Sequence, residues 1–387
     1  MTSALVIGAG PAGLMAATML ADAGCTVTIA DAMPSAGRKF LMAGKSGLNL
    51  TKDEPDDKFV QNIAPAHPTL KRALASFGPA NVKAWATGLG QEVFTGTTGR
   101  VFPKAMKASP LLRAWLADLG SKDVRILTKH RWAGWDADGA TFTTPQGPIT
   151  LSSDVTVLAL GGASWSRLGS DGAWANLLPD VVPFAPSNAG VTVDWSPHMA
   201  KFFGAPVKAV ALTAGNTISR GEWVITEKGI EGGGIYTLTP QLRAGETVYL
   251  DLRPDWSLEK VANALARKQG KTSLNNHLRK ALRLSPVHIA LLREAGGTLA
   301  GDIAGLVKRC ALPITGLAPM DAAISTAGGV SWDSLDDTLM LRDRPGVFCC
   351  GEMLDWEAPT GGYLINTCLA TGRFAGANAA HSAQVGR

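Results

Sequence analysis

The sequence predicts an α/β protein: a Rossmann-like dinucleotide-binding domain built from both ends of the chain and interrupted by a small β-barrel-like and a helical insertion. Three observations predict it. An apolar run at the N-terminus ends in a GxGxxG turn. A second apolar run near the C-terminus ends in glycines and a long helical pattern. Between them the patterning changes to short β-rich runs and then to basic helices. At 387 residues the chain exceeds one small core, and two or three domains are expected. The expected division is 1–190 with 320–387 for the nucleotide domain, 191–253 with 311–319 for the β-rich insertion, and 254–310 for the helical one. With 46% apolar and 18% charged residues the composition is globular, and no repeat or heptad run is present.

Ala4–Ile7 reads as a buried strand, followed directly by Gly8-Ala9-Gly10-Pro11-Ala12-Gly13. Pro11 falls where a helix accepts proline as its first residue. Gly8 makes the tight turn, Gly10 lets the backbone approach a pyrophosphate, and Gly13 permits close helix packing. The free N–H groups of Ala12 and its neighbours, with the helix dipole, then hold phosphate. A second strand, Thr26–Ala30, leads into Asp31, eighteen residues after Gly13 and placed to accept hydrogen bonds from an adenosine ribose. These features predict a dinucleotide and leave FAD and NAD both open.

Three further segments point to FAD. Gly37-Arg38-Lys39 opens a basic, glycine-rich loop that continues through Gly44, Lys45, Ser46 and Asn49, placed to cover a pyrophosphate and reach a flavin edge. Val155–Leu160 is a buried-type strand, with Ala159 near its end, that runs into Gly161-Gly162. Val347–Cys350 runs into Gly351-Glu352, then Gly361-Gly362-Tyr363-Leu364 and a helical run to about His381, in which Gly372 and Gly376 form a flat packing face. The N-terminus of that last helix would face the flavin pyrimidine and favour negative charge on it. Trp132 completes the candidate cofactor contacts. No second complete GxGxxG occurs, so NAD(P)H, the expected reductant, has no Rossmann domain of its own.

The quoted segments together resemble a known group. GAGPAG at Gly8–Gly13, GRKFLMAGKSGLNLT at Gly37–Thr51, GRVFPKAMKAS at Gly99–Ser109, LALGGASWSRLGSDG at Leu158–Gly172 and GEMLDWEAPTGGY at Gly351–Tyr363 are similar to the bacterial NAD(P)/FAD-dependent oxidoreductase family. That family includes a bile-acid reductase-like protein and a ribosomal-RNA dihydrouridine synthase. The resemblance covers essentially the whole chain and implies a two-part FAD domain with an insertion. The family's flavin loop usually reads GGGRCNLTN; here Asn49 matches, and Gly47-Leu48 replace the Arg-Cys pair. After Gly362-Tyr363 the family usually has Asn-Leu-Gln, and this chain has Leu364-Ile365-Asn366, as a divergent branch would.

In the insertion, Val191–Val193, Lys208–Thr213, Glu222–Thr226 and Thr247–Asp251 read as strands of a small barrel or open sheet. Leu258–Ala266, Leu274–Leu284 and Pro286–Glu294 read as helices. Between Asp255 and Cys310 ten Lys/Arg face four Asp/Glu, and Arg267–Arg283 holds Arg267, Lys268, Lys271, Arg279, Lys280 and Arg283 without an acid. Such a run is the footprint of a phosphate-rich partner such as ribosomal RNA, or a solvated helical face.

Flavin chemistry asks side chains for placement and a proton. Lys45, Lys104 and Tyr363 are the catalytic candidates, with Arg100, Lys107, Trp165 and Arg167 as possible substrate contacts. The six histidines are expected to be structural or exposed. The five cysteines form no CxxC pair and are expected as free thiols in a reducing compartment; no metal site is expected. The N-terminus lacks the basic start of a signal peptide, and Ala4–Leu20 is broken by Gly8, Gly10, Pro11 and Gly13, so a cytoplasmic protein without membrane contact or obligate protein partner is expected. The reading that leads is NAD(P)H-driven, FAD-dependent reduction of a C=C bond in an unidentified substrate. Uridine reduction in ribosomal RNA, small-amine oxidation and a non-catalytic FAD-containing RNA-binding protein are the alternatives.

Overall fold

The computed structural model describes residues 2–266, 272–297, 299 and 301–385. It divides into two compact units, one reaching Ala185 and resuming at Ser325, the other Pro186–Ile324. The first unit is built on five parallel strands, β1 (Ser3–Ile7), β2 (Thr26–Asp31), β3 (Arg125–Thr128), β4 (Val155–Leu158) and β5 (Val347–Cys349), in the order β5-β4-β1-β2-β3. The register places Ile7 beside both Ala30 and Leu158, and Leu158 beside Cys349. Every residue of β4 and β5 is buried, as a parallel sheet covered on both faces requires.

Two helices cover one another beside this sheet. Helix α1 (Pro11–Asp22) starts at the glycine loop, and the closing helix, α4, spans Tyr363–Val385. They meet along the predicted flat face. A Cβ at Gly372 would overlap the Ala12 carbonyl, and one at Gly376 would lie 2.6 Å from the Ala16 carbonyl oxygen. Helices α2 (Arg38–Ala43) and α3 (Ala108–Ser121) complete the part of this unit that matters for the site. An antiparallel meander, Arg131–Trp135, Ala140–Thr144 and Gly147–Leu151, carries Trp132. Among the described residues no helix is long and apolar enough to cross a membrane.

The second unit carries a five-stranded and a four-stranded antiparallel sheet and the helices Leu258–Ala266, Leu274–Leu282, Pro286–Gly296 and Ile303–Lys308. The predicted strands recur as Val191–Val193, Ala211–Ala214, Trp223–Thr226 and Tyr249–Asp251. The sequence separates a β-rich from a helical domain; the structure joins them. Trp223, Ile225 and Leu250 from the strands and Val261, Leu278, Leu282 and Leu292 from the helices form one buried cluster. Amphipathic helices of about nine residues cannot stand alone in water, so their apolar stripes close the core of the sheets.

Candidate active site

A cleft opens at the carboxyl ends of β1, β2 and β4, where the strand order reverses and open α/β sheets bind ligands. Gly8 sits at φ +109°, a conformation that disfavours side chains, and a Cβ there would overlap the Ala159 carbonyl. Gly10 caps α1 with extended backbone and no side-chain partner, and Pro11 takes the first helical position. The first-turn N–H groups therefore keep their donors for a ligand. Gly8, Gly10, Pro11, Ala12, Asp31, Arg38, Lys39, Trp132, Ala159, Gly161, Gly351 and Glu352 all line this cleft.

Asp31 Oδ2 accepts the Ala9 N–H at 2.6 Å, and Oδ1 accepts the Met33 N–H at 2.7 Å. Burial pushes its carboxyl above the ordinary range, opposed by these two hydrogen bonds and by the Arg131 and Arg38 charges. On the opposite wall Lys39 Nζ lies 2.8 Å from Glu352 Oε2 and donates to Ser164 Oγ at 2.9 Å, while Glu352 Oε1 accepts the Thr326 N–H at 3.2 Å. Three buried polar atoms of cleft residues have no partner among the described residues: Arg38 Nε, Trp132 Nε1 and Ser170 Oγ. Buried polar groups are normally paired, so three unsatisfied atoms around one cleft point to a polar ligand.

Several predicted residues stand elsewhere, for clear reasons. Gly13 lies behind the loop, where a Cβ would overlap the Gly8 carbonyl, and Gly162 backs the wall against Thr326. Gly44 packs against Ala108, and Lys45 and Ser46 are exposed, with Lys45 and Gly44 lining a separate basin. Asn49 is outside the cleft lining, although its Oδ1 is buried without a partner. Gly361 and Gly362 both take positive φ to turn the chain into α4, whose first turn contains Leu364. Tyr363 is buried beside the ring of Phe59, donates to Glu54 Oε1 at 2.6 Å and accepts from Lys52 Nζ at 2.9 Å. Burial, and then Glu54, hold its hydroxyl well above the ordinary phenol range. Lys104 pairs with Glu92 at the surface, outside the cleft, which removes the sequence argument for a catalytic role there. Arg167 is exposed over the ring of Trp165, and neither lines the cleft.

Sequence reasoning missed Met33, Ser35, His130, Leu168, Ser170, Cys350 and Cys368 as cleft residues. Leu168 and Ser170 sit inside the quoted Leu158–Gly172 segment, which was the available signal. Five cysteines are free thiols. Of these, Cys350 and Cys368 line the cleft; burial pushes Cys350 well above the ordinary thiol range and Cys368 up to about 12.

A family model described as the HI0933-like protein Rossmann domain matches residues 2–378. The chain belongs to the HI0933-like Rossmann family. The chain is 27% identical to the 3-dehydro-bile acid delta(4,6)-reductase of Clostridium scindens, over 97% of this chain and 98% of that protein. It is 25% identical to the ribosomal RNA dihydrouridine synthase of Escherichia coli, over 93% of each. Among solved structures, the apo form of the Mycobacterium smegmatis Sdh1 complex aligns with a TM-score of 0.50 at 14% identity, over 99% of this chain and 68% of that one, a likeness of fold. By family the chain carries an HI0933-like Rossmann domain, and the relatives it resembles include a reductase.

Proposed function

We propose that this HI0933-like protein uses NAD(P)H to reduce a C=C bond of a small molecule, with FAD held in the cleft. The observation that carries FAD binding is the set of unsatisfied buried atoms, Arg38 Nε, Trp132 Nε1 and Ser170 Oγ, around a glycine loop that ends on a helix N-terminus. In this reading Asp31 accepts from the adenosine ribose and the Gly8–Ala12 backbone with α1 holds the pyrophosphate. Lys39 neutralises charge beside Glu352. Bound FAD supplies the site for hydride transfer. Tyr363, held between Glu54 and Lys52 at the start of α4, keeps a proton on its phenol oxygen at neutral pH. The names of the two relatives, a delta(4,6)-reductase and a dihydrouridine synthase, support saturation of a double bond. The test is stopped-flow absorbance of the purified protein mixed with NADPH or NADH. Rapid bleaching with slow reoxidation in air is the expected result; fast reoxidation points to an oxidase, and no bleaching by either nucleotide overturns the reading.

The pH dependence of FAD affinity follows from Asp31. Its carboxyl titrates above the ordinary value because burial disfavours the charge, so the FAD-free protein binds that proton more tightly than the unfolded chain does. The Asp31 contribution to stability therefore falls as pH rises through the window between those two values. Ribose hydroxyls donate to the ionised carboxylate, so FAD binding releases the proton. FAD affinity is expected to rise with pH up to the point at which the carboxyl of the FAD-free protein ionises, by up to about tenfold per pH unit, and to level off above it. A flat profile by fluorescence quenching removes Asp31 from the ribose contact.

A second reading, reduction of uridine in ribosomal RNA, is favoured by the insertion. Arg279, Lys280 and Arg283 are exposed at the C-terminal end of the helix Leu274–Leu282. Arg267, Lys268 and Lys271 lie outside the described residues. Reversing the charges of Arg279, Lys280 and Arg283 is expected to weaken RNA binding almost uniformly across sequences. It is also expected to flatten the salt dependence, by about 0.7 log units per log unit of salt for each single-strand phosphate no longer neutralised. Full RNA affinity in the triple variant, or salt-independent binding by the wild type, excludes this reading.

A further inference from the structure

Beside the cofactor cleft, and sharing Ser35, Arg38 and Leu168 with it, lies an open basin of about 470 Å³. Its remaining polar lining is Lys45, Lys107 and Ser109, and no acidic residue lines it. Lys45 and Lys107 are exposed and form no ion pair among the described residues. Arg38 makes only a long hydrogen bond to Ser35 Oγ, 3.4 Å, and its buried Nε has no partner. Helix α3 begins at this rim: Lys107 is its N-cap, no side chain caps it, and its first turn carries no acid. The 14-residue helix adds the positive end of its dipole to three cations.

Here Lys45 and Lys107, which form no ion pair among the described residues, the shared Arg38, which also acts on Asp31 in the cleft, and a helix N-terminus face one concavity that no carboxylate lines. Such a field fits a doubly charged anion better than a single carboxylate. Because the basin opens beside the dinucleotide cleft, the anion belongs on a nucleotide. NADPH differs from NADH by one such group, the phosphomonoester on its adenosine ribose. We propose that this basin takes the 2′-phosphate of NADPH and makes the enzyme prefer NADPH over NADH. The proposal rests on the reading of the protein as an NAD(P)H-driven reductase.

The test uses the FAD-loaded protein and isothermal titration with 2′,5′-ADP and with 5′-AMP, which differ in that phosphate. Wild type is expected to bind 2′,5′-ADP at least tenfold more tightly, with the preference shrinking as salt rises. In the double variant Lys45→Glu and Lys107→Glu the preference is expected to vanish, and the ratio of kcat/KM for NADPH over NADH in flavin bleaching to fall at least tenfold. Lys107→Gln, a milder change at an exposed position, covers the case in which the double variant fails to fold, and is expected to lower the preference at least threefold. Equal binding of the two nucleotides by wild type overturns the proposal. So does a preference that survives the substitutions in protein retaining its flavin spectrum. A 2′,5′-ADP preference with no bleaching by either nucleotide supports the anion site and overturns the reductase reading instead.

Discussion

Asp31→Ala is expected to lower FAD affinity by roughly ten- to a hundredfold while leaving the protein folded. Two effects combine. The variant can no longer make the charge-assisted hydrogen bond to the ribose, worth about 1.5–3 kcal/mol. The carboxylate also accepts the Ala9 N–H at 2.6 Å and the Met33 N–H at 2.7 Å, so it fixes the glycine loop and the chain after β2 at once. Without it both N–H groups must find water, and the loop no longer holds the geometry that presents its donors. Asp31→Asn separates the two: the amide oxygen still accepts one hydrogen bond, so a smaller effect is expected than for alanine. Flavin retained after dialysis, read by absorbance, measures both. An alanine variant that keeps its full flavin content shows that the carboxylate does not touch the cofactor.

Gly372→Leu is expected to cost more than about 3 kcal/mol of stability and most of the bound flavin. Overpacking a core typically costs about 1–3 kcal/mol, and here the added atoms meet backbone, which cannot rotate away. The nearest obstruction is the carbonyl of Ala12, in the first turn of the helix that the glycine loop opens. Pushing α4 away from α1 therefore moves the phosphate-facing end of α1 as well as the core. Thermal unfolding and flavin content should fall together. A variant with a normal melting temperature and full flavin content shows that the two helices part without disturbing the loop.

Much of the first unit was legible in the sequence because its glycines are tied to backbone-to-backbone distances. Gly8, Gly13, Gly372 and Gly376 each sit where a Cβ would press on a carbonyl, and a spacing in the chain records such a constraint directly. Asp31 was legible for a similar reason: a strand of known length ends there. Tyr363 and Lys104 were harder. Both stood in segments quoted for the resemblance, yet side-chain direction is not written in such a segment. Tyr363 turns inward to Glu54 and Lys52, and Lys104 turns outward to Glu92. Cys350 and Cys368 were passed over because an isolated apolar thiol carries no pattern; only the meeting of β5 with α4 brings them to the cleft. Four strands and three helices of the insertion were legible near their observed positions, while the helix Ile303–Lys308 and strands such as Gly229–Glu231 and Ile314–Leu317 were not. The shared core of its two parts was not legible, because the partner of an amphipathic stripe is decided by tertiary packing.

The cysteine chemistry of the cleft bears on how long such an enzyme lasts. Electron-transfer sites exposed to air generate peroxide close to their own walls, and the residues first damaged are thiolates. Cys350 and Cys368 face that hazard directly, with Cys349 buried behind them. Burial keeps all three protonated far above neutral pH, so almost none of the reactive anion exists at any moment. Burial, with the Glu352 carboxylate near Cys368, thus keeps these sulfurs in the form least open to oxidation beside the proposed flavin site.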